Sequence, residues 1–172
     1  GSRAIGGASF SSAVPTVTAA GTFTFNADDY QLYVSDGTRW LSMAEHSIRL
    51  THNGTMSSLS TANLYTTDGG TASFQQRGRN NYKFDQDIFV TRAYAASRNN
   101  TTAPDNTHKI EMVGTATFDL VSWDGTNHEV MNHSVNTRIP AVDLWRPRIN
   151  AGLGSNLPNE VIVHVWYRWS FQ

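Results

Sequence analysis

The chain has 172 residues, 13 Lys or Arg against 14 Asp or Glu, no cysteine, and 39% hydrophobic residues. That length fits one domain, or one domain with a small appendage. A net charge of −1 argues against a nucleic-acid partner, and the lack of cysteine excludes a disulfide framework. No apolar run approaches the roughly 20 residues of a membrane span, so no membrane insertion is expected, and no signal peptide is visible.

Leu, Ile, Val and Phe total only 36 residues, close to the level of disordered chains, but 19 aromatics restore the capacity for a core. The polar surplus is uncharged, with 19 Thr, 16 Ser and 14 Asn. Thr and aromatics suit strands, and Asn, Ser and Gly suit turns. Such a composition fits a protein with many edges and tight turns, or one that meets sugars and other polar surfaces.

Residues 1–20 are Gly/Ser/Ala-rich and read as a linker or the end of a shaft; Gly1-Ser2 resembles a cloning scar, so a longer natural N-terminus is expected. Residues 21–43, GTFTFNADDYQLYVSDGTRWLSM, read as three short strands joined at Asn26–Asp29 and at Ser35–Thr38. Asp-Gly between apolar runs is a hairpin signal, because few residues tolerate positive φ. A meander this small needs a cover in water. Ala44–Leu50 is the one plausible helical turn, and residues 51–58 are turn-rich.

From residue 59 onward the pattern is strand after strand. LYTT (64–67) and TASFQQR (71–77) flank the turn Asp68-Gly69-Gly70, and DIFVTRAYA (87–95) is strongly β. A polar loop covers 97–108. Residues 109–123 read as one strand, with Ile110, Met112, Ala116, Phe118 and Leu120 on one face. Asp124-Gly125 turns the chain into residues 127–139, Pro140 and Pro147 interrupt the stretch leading to residue 150, and 151–159 is a glycine-rich loop. In the last strand Val161, Val163, Val165, Tyr167, Trp169 and Phe171 form a core face. Ile162, His164, Trp166, Arg168 and Ser170 form a face suited to a subunit contact or a partly wet surface. The echoes GTFTF/GTATF and SDGT/WDGT are read as shared turn chemistry, not as a repeat. The fold class is therefore all-β, an antiparallel sandwich or jelly roll.

The stretch Gly21–Met43 resembles a motif of bacteriophage tail fibres and related virion appendages, carried here by Gly21, Thr22, Phe23, Phe25, Tyr33, Val34, Asp36, Gly37, Thr38, Trp40 and Leu41. The resemblance covers about 25 of the 172 residues. It implies a small collar (residues 21–50) packed as a homotrimer, followed by a C-terminal head (51–172). In that arrangement Phe23, Phe25, Leu32 and Trp40 would line the oligomer interface, joined by Trp166 from the last strand. It further implies a virion-surface location, contact with other virion proteins through the N-terminus, and attachment to a host cell-surface receptor, a glycan or a protein, without catalysis. A structural virion protein that binds only virion partners is the alternative, and a glycan-cleaving enzyme ranks below both. Such roles rest on sites, not on folds.

No catalytic constellation stands out. Asp28 and Asp29 are adjacent in a turn, and Asp85 and Asp87 share strand parity at a strand entrance. A glycosidase needs two carboxylates roughly 5–10 Å apart in a cleft. No G-x-S-x-G occurs. His46/His52 and His128/His133 lack metal-ligand spacing, so no metal or cofactor is expected. Arg77-Gly78-Arg79 and Arg146-Pro147-Arg148 are basic clusters of the kind that loop salt bridges explain. Sequons at Asn53, Asn99, Asn100 and Asn132 are expected by chance in so Asn-rich a chain. The receptor-binding candidates lie on polar loops with interleaved aromatics, where binding residues concentrate: Asn99, Asn100, Asp105, Trp123, Asp124, Asn127, Trp145, Arg146 and Arg148. Trp123, at a strand end, is expected exposed; Trp145 is open to a core role beneath Pro147.

Overall fold

Alternation along the last strand organises the molecule. The structure, a computed structural model, describes residues 16, 19–26, 30–66, 84, 86–98, 102–141 and 144–171. Most of the linker, the centre of the turn at 26–29, the hairpin at Asp68-Gly69-Gly70 with TASFQQR, Arg77-Gly78-Arg79, Asp85, Asn99 and Asn100 lie outside them. The described strands are β1 (Phe23–Asn26), β2 (Gln31–Ser35), β3 (Trp40–Ser42), β4 (His46–Thr55), β5 (Thr61–Asn63), β6 (Tyr65–Thr66), β7 (Ile88–Ala96), β8 (Lys109–Val113), β9 (Thr117–Ser122), β10 (Glu129–Asn132), β11 (Thr137–Ile139), β12 (Arg146–Asn150) and β13 (Asn159–Phe171). The fold is all-β, and the described strands pair antiparallel throughout.

Two sheets face each other. The larger has β13 at its centre, with β4 and then β6 on one side and β7, itself paired to β10 and β11, on the other. The smaller runs β5-β12-β8-β9. Val161, Val163 and Val165 of β13 are at most 2% exposed and meet Leu50, Val90, Ala93 and Ala95 from the same sheet. Ile110, Met112, Leu120 and Ile149 close the core from the smaller sheet. A register shift between Ile110 and Glu111 lets two consecutive residues of β9, Leu120 and Val121, both be buried.

Four local expectations are corrected. Ala44–Leu50 is not helical: from His46 it is β4, because Ile48 pairs with Val165 and Leu50 with Val163, and that burial overrides weak local preference. The turn-rich reading of 51–58 holds only past Thr55, because Thr51, His52 and Thr55 pair with β13 and carry β4 to that point. Residues 109–123 are a hairpin, not one strand. The chain reverses at Gly114-Thr115-Ala116, where the Gly114 N–H donates to the Ala116 carbonyl at 2.9 Å. A side chain at 114 would sit 2.7 Å from the Trp145 ring, so only glycine fits. Asp124-Gly125 makes no hairpin either; it carries the chain from β9 in one sheet to β10 in the other.

The meander β1-β2-β3 is not a separate unit. β3 pairs with the last two residues of β13, Leu41 with Ser170 and Trp40 with Phe171, so it extends the larger sheet. A boundary at residue 50 falls inside β4. Strand alternation gives the meander two unlike faces. Tyr33 and Trp40 point to the core side, 1% and 2% exposed, with the Tyr33 ring edge-on to Phe171 at 4.9 Å. Trp40 is therefore a core residue and cannot line an oligomer interface. The Trp40→Ala variant should lose about 3–5 kcal/mol of stability through the cavity it leaves. The whole chain should unfold earlier in urea, in one transition. A variant with an unshifted urea midpoint and an altered oligomeric state would contradict this placement.

Candidate functional site

The loops expected to bind a receptor use their polar groups on one another. Asp105 accepts from the Asn156 backbone N–H at 3.0 Å and from its side-chain amide at 3.1 Å. Thr107 Oγ1 donates to the Leu153 carbonyl. Gly152 and Gly154 permit this approach: a Cβ on them would lie 2.5 Å from the Thr107 carbonyl oxygen and 2.3 Å from the Asp105 carboxylate, respectively. Asp124 accepts from the Thr126 and Asn127 backbone N–H groups and from the Asn127 side chain. Those bonds, the Asn127 side-chain bond foremost, hold its carboxyl far below the usual range. Asp36 caps Thr38 and Arg39 the same way, which explains the SDGT/WDGT echo as shared turn chemistry.

The expected aromatic contacts are sealed inside. Trp123, expected exposed, is 2% exposed and donates its Nε1–H to the His128 carbonyl at 3.3 Å. Trp145 is 3% exposed and packs edge-on against Phe118 at 5.7 Å. Neither reaches the surface. Arg146 and Arg148 lie on β12, away from the loop cluster. Arg148 Nε is 2.8 Å from Glu111 Oε2, and Lys109 Nζ lies 3.1 Å from Glu111 Oε1. Among the described residues no trio of His, Asp or Glu converges as a metal site.

A different surface gathers binding chemistry, the outer face of the larger sheet. Cross-strand register aligns Arg49, His164, Tyr94 and Met131 in one row. A second row holds Ser47, Trp166 and Arg92. The Arg92 guanidinium lies 4.5 Å over the Trp166 ring, and Glu45 fixes it by an ion pair at 2.7 Å. His164 lies 5.6 Å from Trp166 and 6.1 Å, edge-on, from Tyr94. Burial pushes the His164 imidazole below its ordinary value, and the Arg49 charge adds to this. These side chains are half-buried or exposed, so rings and a guanidinium are held in place yet reachable.

At one end of this face lies a groove of about 430 Å³. Ile162 and Ala96 are neighbours in its floor, with Thr51 and Glu129 at the ends of the same row. Asn53, Glu160, Arg98 and His128 form the rim. At the opposite end, beyond Ser170, the outer face of the meander is apolar. Phe23, Phe25 and Met43 are 53%, 41% and 45% exposed, beside half-buried Leu32, Val34 and Leu41. Of the five interface candidates, Phe23, Phe25 and Leu32 meet here. Trp166 lies on the same side of the sheet, farther along β13, and Trp40 on the other side.

Sequence reasoning flagged the outer face of β13 but missed Tyr94, Arg92, Glu129 and Arg49. They come from three other strands, and only long-range register brings them together.

Glu111 gives a pH test of the smaller sheet. Burial opposes its charge, but bonds from Asn150, Arg148 and Lys109 outweigh that and hold its carboxyl below the ordinary 4.5. A lowered folded value stabilises the fold above that pH and is lost as pH falls through it. Glu111→Gln should be about 1–3 kcal/mol less stable than the parent at neutral pH. The gap should close in acid; an equal gap in denaturant titrations at both pH values would refute the role.

No protein-family model matches the chain, and no curated protein matches it. Among solved structures it is similar to a crystal structure of FlhE, at 11% identity and a TM-score of 0.34, covering 73% of this chain and 97% of that one. A likeness that low carries no argument about either fold or function.

Proposed function

We propose that the chain is a non-catalytic attachment module, the head of a virion fibre, that binds a host-surface glycan through the outer face of its larger sheet. The observation that carries this reading is the cluster of Trp166, His164 and Tyr94 across two adjacent rows, with Arg92 stacked on the indole. Aromatic faces pack on the C–H surfaces of sugar rings, and a fixed guanidinium donates several directed hydrogen bonds to hydroxyls. Rigid strands hold these groups, so little ordering cost attends binding. The phage-fibre resemblance of residues 21–43 supports the virion setting. Trp166→Ala should weaken glycan binding about tenfold or more, roughly 1.4 kcal/mol, with little change in melting temperature. A chain that binds no glycan on an array and no host cell, yet docks on virion proteins, would replace this reading with the structural one.

The partner most consistent with the meander is a second and third copy of the same chain. Its apolar outer face cannot be covered from within the meander itself, and burial of such area is worth about 25 cal/mol per Å². Light scattering should then give three times the 19.0 kDa chain mass. The double variant Phe23→Ser, Phe25→Ser should be monomeric, with nearly unchanged secondary structure because both rings are exposed. A parent chain that is already monomeric would overturn the trimer.

A further inference from the structure

The groove at the far end of the outer face has a chemistry of its own. Its floor is aliphatic, from Ile162 and Ala96, and its rim carries acceptors and donors on both sides. The backbone fixes that rim. The β4–β13 register shifts between Asn159 and Val161, with Gly54 at φ +100° and Glu160 at φ +45°. A bulge of this kind re-aims side chains, here Asn53 and Glu160. A non-glycine residue at positive φ is held there by its surroundings. Ser97 Oγ donates to the Asn159 carbonyl and accepts from the Asn159 N–H, while the Ser97 N–H donates to the His128 carbonyl. β7, β13 and the segment entering β10 are thereby tied together around the groove.

Charge decides what fits. Glu160 is met by Arg98, whose Nη1 lies 3.2 Å from Glu160 Oε2. Glu129 has a neutral partner, the Tyr94 hydroxyl, whose phenol is raised above its ordinary value by burial and then by its bond to that carboxylate. Among the described residues no Lys or Arg pairs with Glu129. Among the described residues that line it, the groove therefore holds one carboxylate without an ion-pair partner, beside an aliphatic floor, and its volume is within the range of small-ligand clefts, roughly 300–1,000 Å³.

Resting on the attachment reading above, we infer that this groove is the specificity subsite of the outer face and takes a sugar ring bearing a free amine. The ring's C–H face lies on Ile162 and Ala96, the ammonium meets Glu129, and hydroxyls reach Asn53, Thr51 and the Arg98–Glu160 pair. A carboxylated sugar is disfavoured by like charge.

Calorimetry with three oligosaccharide probes tests this: one of glucosamine, one of N-acetylglucosamine and one containing glucuronate. The parent chain should bind the free-amine probe at least tenfold tighter than the N-acetylated one, and the acidic probe weakest. Glu129→Gln keeps an acceptor for Tyr94 and removes only the charge. It should bring the affinities for the free-amine and N-acetylated probes within about twofold, by loss of binding to the free-amine probe, at an unchanged melting temperature. Equal affinity of the parent for the amine and N-acetyl probes, or a preference that survives Glu129→Gln, overturns the subsite. If that happens while Trp166→Ala still weakens sugar binding about tenfold, the attachment reading stands without the groove. If none of the three probes binds, the subsite falls, and the attachment reading falls with it only if the glycan array and host cells are also negative.

Discussion

β13 pairs with β4 along one edge and with β7 along the other over most of its length, and its last two residues pair with β3. The larger sheet depends on this one strand. A central strand satisfies its backbone groups on both sides, so buried N–H and C=O groups are not left open. Where the chain kinks between β3 and β4, a side chain takes over the pairing. Ser42, fully buried, accepts from the Trp169 N–H at 3.0 Å and donates to the Ala44 carbonyl at 2.7 Å. On the opposite edge the Ser170 N–H donates to the Asp87 carbonyl. The meander and the sandwich thus share one sheet. The outer face inherits the rigidity of a ladder paired on both sides.

This dependence explains which parts of the fold were legible in the chain. β13 carries its own pattern, because its buried face must be apolar at every second residue whatever its neighbours are. The hairpin at 114–116 was hidden because its tight turn preserves alternation: Ile110 and Met112 before it and Leu120 after it all point inward. Only Gly114, pressed against the Trp145 ring, marks the reversal, and a lone glycine inside a strand has several causes. Residues 44–50 have weak local preference and become a strand because β13 offers an edge. Asp36-Gly37 and Asp124-Gly125 have the same capping chemistry, yet one joins neighbouring strands and the other changes sheets. Local chemistry sets the turn; the destination of the chain is decided by packing on a larger scale.

The candidate site was less legible for a related reason. Polar loops drew attention because loops commonly carry binding residues. Here Asp105, Asp124 and Asn127 fold the loops onto themselves, and Arg148 answers the buried carboxylate of Glu111. Trp123 and Trp145 fill the core. The outer-face row instead joins residues 49, 94, 131 and 164, one from each of four strands. No short window of sequence contains two of them, so no motif could have named the set.

The same geometry separates the apolar meander from the groove on one face. Ser170, beside the apolar meander, and Ile162, in the groove floor, are eight residues apart on one strand, about 26 Å at the usual rise. The span between them carries Arg168 and Trp166, and Arg39 lies 4.5 Å over Phe89 beside it. Contact through Phe23, Phe25 and Met43 would therefore be centred about 26 Å from the groove. An assembly joined at the meander would also display one groove per copy on a rigid base. If each groove takes a sugar as proposed, weak single-site affinity would suffice for attachment, since linked sites raise avidity without new contacts. The apolar meander beside one end of β13 and the groove at the other belong to a single uninterrupted sheet, which keeps both in fixed relation.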